Sequence, residues 1–183
     1  MRKIINSTYI TLDGVIQNPQ DWPSLGGFDD AGRVVQTELL ERCDAVLMGR
    51  HTYDLFAPVW SASSGDALSD RMNALPKYVV SSTLTNPRWN NTIVIDDDPI
   101  GALTALKQEP GADIVQYGFG PLSRALMAEG LLDELRLWVH PFILGTGTPD
   151  DLIYRTGTSG AFTLAGSEAL PNGIVILTLA ATP

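Results

Sequence analysis

The chain has 183 residues, with twelve basic against twenty-one acidic side chains and a formal net charge of -9. That acidic balance is spread along the chain and argues against nucleic acid or an anionic membrane as partner, because both need a basic footprint. Cys43 is the one cysteine, so no intrachain disulfide forms; a reducing cytoplasm is the economical compartment and a buried small hydrophobe its simplest role.

The length suits one domain, residues 1–183, able to bury roughly two thirds of its extended surface in a single core. Asn6, Ser7 and Thr8 break the apolar residues after Arg2 and Lys3 before a signal-peptide core can form. No apolar run reaches the ~18–20 residues that cross a bilayer. A soluble, unprocessed protein is expected.

Residues 4–12 (IINSTYITL) have the β-branched and aromatic character of a first strand, and Asn18-Pro19, Trp22-Pro23 and Gly26-Gly27 make 17–31 a loop, placed where an active-site lid could lie. Residues 33–42 read as a helix with Val34, Val35, Leu39 and Leu40 on its apolar face and Asp29 or Asp30 as cap. Glu38 and Glu41 then fall on its solvated side. Residues 44–48 form a short buried strand, after which a turn or two of helix through Leu55 and Phe56 ends at Pro58. A short helix over 66–74, strands at 77–81 and 92–95 and a surface helix over 100–108 follow.

Residues 114–147 carry the densest signal. An apolar strand at 114–117 runs into a glycine turn, then a helix over 121–129 with Pro121 at a permitted early position, then a strand over 135–142 and a second glycine-rich turn. Such a unit brings backbone N–H groups and a helix start up to a phosphate, so a nucleotide-type ligand is the first functional hypothesis. Residues 162–167 and 174–179, joined by Pro171-Asn172-Gly173, read as an antiparallel hairpin. Strands alternating with helices and then ceasing to alternate give an α/β fold with a mixed, mainly parallel sheet and an antiparallel edge.

Three segments taken together, LMGRHTYDLF (47–56), KYVVSSTL (77–84) and GFGPLSRALMAEGLLDELRLWVHPFILGTG (118–147), resemble the dihydrofolate reductase-like superfamily. The likeness is to the bacterial branch related to the C-terminal reductase domain of bifunctional riboflavin-biosynthesis proteins, and TYITLDG (8–14) is similar to its opening strand. The resemblance implies a three-layer fold with NADPH across the sheet ends and hydride transfer to a small planar heterocycle, pteridine or aminopyrimidine in type. It places Gly49, Arg50, His51 and Thr52 at the cofactor phosphates, and Ser81, Ser82 and Thr83 near the adenine ribose. Gly118, Phe119 and Gly120, with Pro121 and Leu122, take the pyrophosphate turn, and Thr146 lies near the nicotinamide end or a dimer contact. Bulky Phe119 fits only if its side chain points away from the cofactor.

Arg50 is the source of any preference for NADPH, since three hydroxyls carry no charge. His51 is either a phosphate donor or a solvent-facing residue. Asp13 is the catalytic or substrate-holding candidate, although Asp-Gly is also an ordinary turn pair. Trp22 and Trp60 either stack on a flat heterocycle or bury their loops. Trp89, Trp138 and His140 read as packing residues, and the aspartates at 96–98 as a solvated loop. Two histidines and no cysteine pair give a metal site no support. Relatives of this branch pair through late strands, so the resemblance implies a homodimer, with Trp138 and Phe142 among the apolar material for it. The alternative function is nucleotide binding without reductase turnover.

Overall fold

Short runs such as Ala45–Met48 and Ile114–Val115 are apolar at consecutive positions, the pattern of strands covered on both faces. The computed structural model, which describes residues 1–23, 30–154 and 159–182, covers them in that way. In chain order its elements are β1 (Ile4–Thr11), α1 (Asp30–Glu41), β2 (Cys43–Gly49), α2 (Arg50–Ser61), α3 (Ala67–Ala74), β3 (Lys77–Val80) and β4 (Thr92–Ile95). Then come α4 (Pro99–Gln108), β5 (Asp113–Tyr117), α5 (Pro121–Ala128), β6 (Glu134–His140), β7 (Phe162–Ala169) and β8 (Val175–Ala181).

The strands make one eight-stranded sheet in the order β4-β3-β2-β5-β1-β6-β8-β7. Pairings from β4 through β6 are parallel, and β8 and β7 close the edge antiparallel. Alternation sorts the side chains into two cores. Ile5, Val46, Met48, Val115 and Tyr117 meet Leu39 and Leu40 of α1, Tyr53 and Ala57 of α2, and Leu68 and Met72 of α3. Ile4, Ala45, Leu47 and Ile114 point the other way, onto Leu103 and Leu106 of α4 and Leu126 of α5. Three layers result, as expected from the sequence, including the terminal hairpin.

Several boundaries differ from the sequence reading. Helix α1 begins at Asp30 and turns Val34 to solvent, 55% exposed, while Gln36 is buried in its place. The apolar periodicity of that segment allowed either face; the polar groups that receive Gln36 decide between them. Helix α2 runs through Pro58 to Ser61. Its last turn is held from outside, since Asn73 Nδ2 donates to the Trp60 carbonyl at 2.9 Å, one of the carbonyls at the helix end. Strand β6 stops at His140. Trp138 is 1% exposed and packs on Val35, Leu170, Ile174 and Ile176 of its own subunit, so its surface is not available for pairing two copies.

Cys43 is buried, and burial, with Asp113 nearby, pushes its thiol up to about 12, an inert packing residue. Buried Lys77 donates to the Asn73 carbonyl at 2.8 Å and lies 4.7 Å from the centre of the Trp89 ring, fastening β3 to the end of α3. Lys107, 4% exposed, donates to the Leu131 carbonyl at 2.7 Å and to the Asp133 carboxylate, which also accepts from Ile4 N at 2.7 Å. Asp133→Ala leaves that ammonium buried without its counter-charge and removes a partner of β1. A loss of about 3 kcal/mol of unfolding free energy is expected in urea denaturation, the usual cost of breaking a buried pair from one side; a loss under about 0.5 kcal/mol would contradict this account of Lys107.

Candidate active site

Strands β2 and β5 are neighbours, and the chain leaves them in opposite directions, toward β3 after β2 and toward β6 after β5. In parallel sheets a crevice opens at such a divergence, outside the carboxyl ends of the strands. Here it is a cleft of about 1240 Å³. Helix α2 starts at the end of β2 and α5 just past the end of β5, each with a glycine N-cap that has no side chain to cap the first turn, while Ser123 Oγ accepts from Gly120 N at 3.4 Å. Their leading N–H groups and positive dipole ends border the cleft.

Four glycine-turn residues show what the cleft is shaped for. Gly118 has φ +76, and a Cβ there would come within 2.5 Å of Thr52 Oγ1, so the turn after β5 packs directly on the first turn of α2. Gly49 and Gly120 have φ of -83 and -145, open to any residue, and a Cβ on either would meet nothing. The protein itself does not demand glycine at these two cleft-lining positions, whereas a ligand backed against them would. Phe119, between the glycines, is 5% exposed and packs its ring with Ile10, Ile16 and Leu135; its bulk is turned into the core, as the sequence required.

Beneath this turn lies a buried polar network. Asn6 Nδ2 donates to Gln116 Oε1 at 3.0 Å and to the Gly118 carbonyl at 2.8 Å, and Gln116 Nε2 donates to Ser123 Oγ at 2.7 Å. Ser123 Oγ donates in turn to the Gly118 carbonyl at 3.2 Å. Ser123 therefore holds the turn rather than a ligand.

Arg50, His51 and Thr52 all line the cleft, with Pro121 and Leu122 across from them. Arg50 Nε donates to both Asp54 oxygens, at 2.9 and 2.8 Å, and Nη1 to Thr83 Oγ1 at 3.2 Å. Its guanidinium thus joins the cleft rim to the turn after β3. Within that turn Ser81 is buried and its Oγ accepts from Thr83 N at 3.3 Å and Leu84 N at 3.1 Å, so this hydroxyl is a cap; Ser82 and Thr83 are exposed. None of the three is among the cleft's lining residues.

Toward its other end the cleft changes character. Trp22 and Trp60 both line it. The Trp22 ring stands edge-on to His140, 5.2 Å between centroids, and its Nε1 donates to the Gln17 carbonyl at 3.0 Å. Phe56 links Trp60 (6.2 Å) to Tyr117 (5.4 Å). Tyr9, Gln36, Tyr117 and His140, which sequence reasoning left out of the site, supply its polar edge. Tyr117 Oη donates to Gln36 Oε1 at 3.1 Å. Burial raises both phenols, Tyr9 to about 12 against a smaller opposing effect of its hydrogen bond with Gln36. Burial also lowers His140 to about 4, and its Nε2 has no hydrogen-bond partner among the described residues. Every group at this end is neutral at pH 7. The sequence signal was the polar run Asn6, Ser7, Thr8 in the middle of a strand buried on both sides.

Asp13 does not line the cleft. Thr11 Oγ1 donates to its carboxylate at 2.6 Å, Gly145 N at 2.9 Å and Leu144 N at 3.1 Å, and these bonds, the hydroxyl's first, hold it near 2. It ties the turn after β1 to the segment after β6, which is a structural duty for a residue read as catalytic. Thr146 borders a separate hollow of about 220 Å³ that shares Gln17, Asn18 and Trp22 with the cleft. Among the described residues the cleft lining includes no carboxylate, and no group of three His, Cys, Asp or Glu is placed to hold a metal. No described helix is long and apolar enough to cross a membrane.

The family model of the RibD C-terminal domain matches residues 2–176. The chain belongs to the RibD C-terminal domain family. It is 32% identical over 160 residues to the uncharacterized protein YyaP of Bacillus subtilis (strain 168), covering 81% of this chain and 79% of that protein. Among solved structures it is similar to a putative riboflavin biosynthesis protein from Shewanella sp. PV-4, at TM-score 0.68 and 20% identity over the full length of both chains. It also matches the diaminohydroxyphosphoribosylaminopyrimidine deaminase/5-amino-6-(5-phosphoribosylamino)uracil reductase of Thermotoga maritima, at TM-score 0.65 and 15% identity, covering 99% of this chain and 57% of that one. The fold is the dihydrofolate reductase-like one of these RibD reductase domains.

Two predictions test the site's assignments. Asp13→Asn is expected to lower the melting temperature while leaving cofactor affinity within about twofold of the parent, measured by thermal unfolding and fluorescence titration; a collapse of affinity in a stably folded variant would return Asp13 to the site. His140 has a folded pKa depressed below the ~6.5 of an unfolded chain, so the unfolded state takes up its proton first as pH falls. The stability it permits is complete above ~6.5 and is lost as pH drops toward about 4. His140→Phe should lessen the decline in unfolding free energy over that window by roughly 2–3 kcal/mol; parallel curves for parent and variant would refute it.

Proposed function

We propose that this RibD C-terminal domain protein is an NADPH-dependent reductase of a small planar heterocycle of pyrimidine or pteridine type. The observation that carries the reading is the pair of helix starts with glycine at the N-cap, α2 at Gly49 and α5 at Gly120, bordering one cleft with unfilled space at both glycines. A dinucleotide's linked phosphates need that combination of N–H groups, dipole ends and close backbone approach. Arg50, reaching Thr83 Oγ1, supplies the cation and hydroxyl suited to a further ribose phosphate. The family adds its own support, since the Thermotoga protein it resembles in fold is named as a reductase.

The cofactor, when bound, supplies hydride from its dihydronicotinamide. What the chain's residues do is hold and exclude. Gly49, Arg50, His51 and Thr52 on one side, with Gly120, Pro121 and Leu122 on the other, would receive the phosphate end. Tyr9, Gln36 and Tyr117 present hydroxyls and an amide to the polar edge of a ring, and the tyrosines keep their protons throughout the physiological range. Trp22, Trp60 and Phe56 shield the ring from water. With no carboxylate on the lining among the described residues, positioning is the chain's main contribution to rate. That same feature favours a second reading, nucleotide binding without turnover; multiple-turnover, ring-dependent oxidation of NADPH would sink it.

Arg50→Ala is expected to weaken NADPH about tenfold and NADH less than about twofold, followed by quenching of tryptophan fluorescence, because only NADPH has the phosphate that loses a charged partner. Asp54→Asn, which releases Arg50 from its carboxylate, should shift NADPH affinity the other way. Equal losses for both cofactors in Arg50→Ala would remove Arg50 from the phosphate site.

A further inference from the structure

The charge on the cleft lies wholly at one end. Among the described residues that line it, Arg50 is the one guanidinium or ammonium group, and it belongs to the helix-start end together with Thr83. The flank formed by α2 and α3 consists of Leu55, Phe56, Val59, Trp60, Leu68 and Met72. The basic residues nearest in the chain to this flank are engaged elsewhere and do not line the cleft. Arg33 donates to Asp66 at 2.6 Å, and Arg71 donates to the carbonyls of Leu40 at 3.3 Å and Cys43 at 2.6 Å. The polar edge beside the flank is built from Tyr9, Gln36, Tyr117 and His140, whose hydrogen-bonding groups are phenols, an amide and an imidazole.

A phosphate carries close to two negative charges into whatever encloses it, and enclosure without a cation costs several kcal/mol of lost hydration. Sites for such groups therefore place guanidinium or ammonium donors, or the N–H groups of a helix start, on them. Among the described residues this lobe offers no such cation and offers instead an apolar wall with a neutral donor and acceptor edge, which matches an uncharged aromatic ring.

We infer that the acceptor of this protein is an uncharged, phosphate-free heteroaromatic compound, a bare or apolar-substituted ring with an amide-like edge, in contrast to the phosphoribosyl compound named for the Thermotoga protein. The inference rests on the reductase reading for which ligand reacts, and on the lobe's composition alone for which ligand fits. Trp60 and Phe56 cover the ring's face, the Gln36 amide and the Tyr9 hydroxyl meet its edge, and the apolar flank takes a substituent where a ribose phosphate would need a cation.

The test is calorimetric titration of the purified protein, alone and saturated with NADPH, with three probes: 5-amino-6-(5-phosphoribosylamino)uracil, its dephosphorylated nucleoside, and 6-methylpterin. One of the two neutral probes is expected to bind at least about tenfold more tightly than the phosphorylated one, and Trp60→Ala should weaken the neutral probe without changing NADPH affinity. Val59→Arg adds a cation at an exposed position of the flank, 61% exposed in the parent, and should improve the phosphorylated probe selectively. Tighter or equal binding of the phosphorylated probe by the parent overturns the inference, as does failure of both neutral probes to bind. Failure of NADPH to bind while a neutral probe does would leave the assignment of the ligand that fits standing and overturn the reductase reading instead.

Discussion

Pairing of β2 with β5 ends with Met48 opposite Tyr117, so the chain leaves the two strands side by side, at Gly49 and Gly118. Everything at the site follows from that register. The next residues begin α2 on one side and, two positions later, α5 on the other, and Gly118 closes on Thr52 so tightly that a methyl group would not fit between them. A register slip of one residue in either strand would exchange the two faces of the sheet and separate the helix starts. The phosphate end of the cleft is thus specified by backbone pairing, and its side chains only furnish charge and hydroxyls.

Beneath the glycine turn and at the ring end lie polar residues that the core would exclude if stability alone were selected. Asn6, Gln116 and Ser123 bind one another under the glycine turn, yet Asn6 Oδ1 is left without a partner among the described residues, as is His140 Nε2. Such atoms each cost stability. The flanking cores, aliphatic on both sides of the sheet, supply the surplus that tolerates them. Of the three such atoms among the described residues, two lie in β1 and β6, which floor or flank the cleft, and the third, Asn172 Nδ2, lies in the turn between β7 and β8.

Strand positions were legible in the sequence because a run apolar on both faces has one stable environment, and the glycine turns because positive φ and close approach restrict residue choice. Side-chain duties were less legible. Asp13 in an Asp-Gly pair looks the same whether its carboxylate meets a ligand or the N–H groups of Leu144 and Gly145, which are 131 and 132 residues away in the chain. Gln36 carries no motif, and its place in the cleft depends on α1 turning Val34 outward, a rotation that local periodicity left open. Pro58 is a helix terminator by local rules, yet α2 continues through it to a last turn held by Asn73 of another helix. In each case the missing information was a contact made across the fold.

Strand β1 lies at the middle of the sheet, between β5 and β6, and its hydrogen-bonded neighbours are distant; Asn6 and Gln116 are 110 residues apart. During synthesis the first strand made is therefore the one that waits longest, with an apolar segment covered on neither edge until more than half the chain has followed it. Its polar centre, Asn6-Ser7-Thr8, interrupts what would otherwise be an uninterrupted sticky run during that interval. Ser7 and Thr8, which line the cleft in the finished molecule, are thus also the residues that break the apolar run of this late-covered strand.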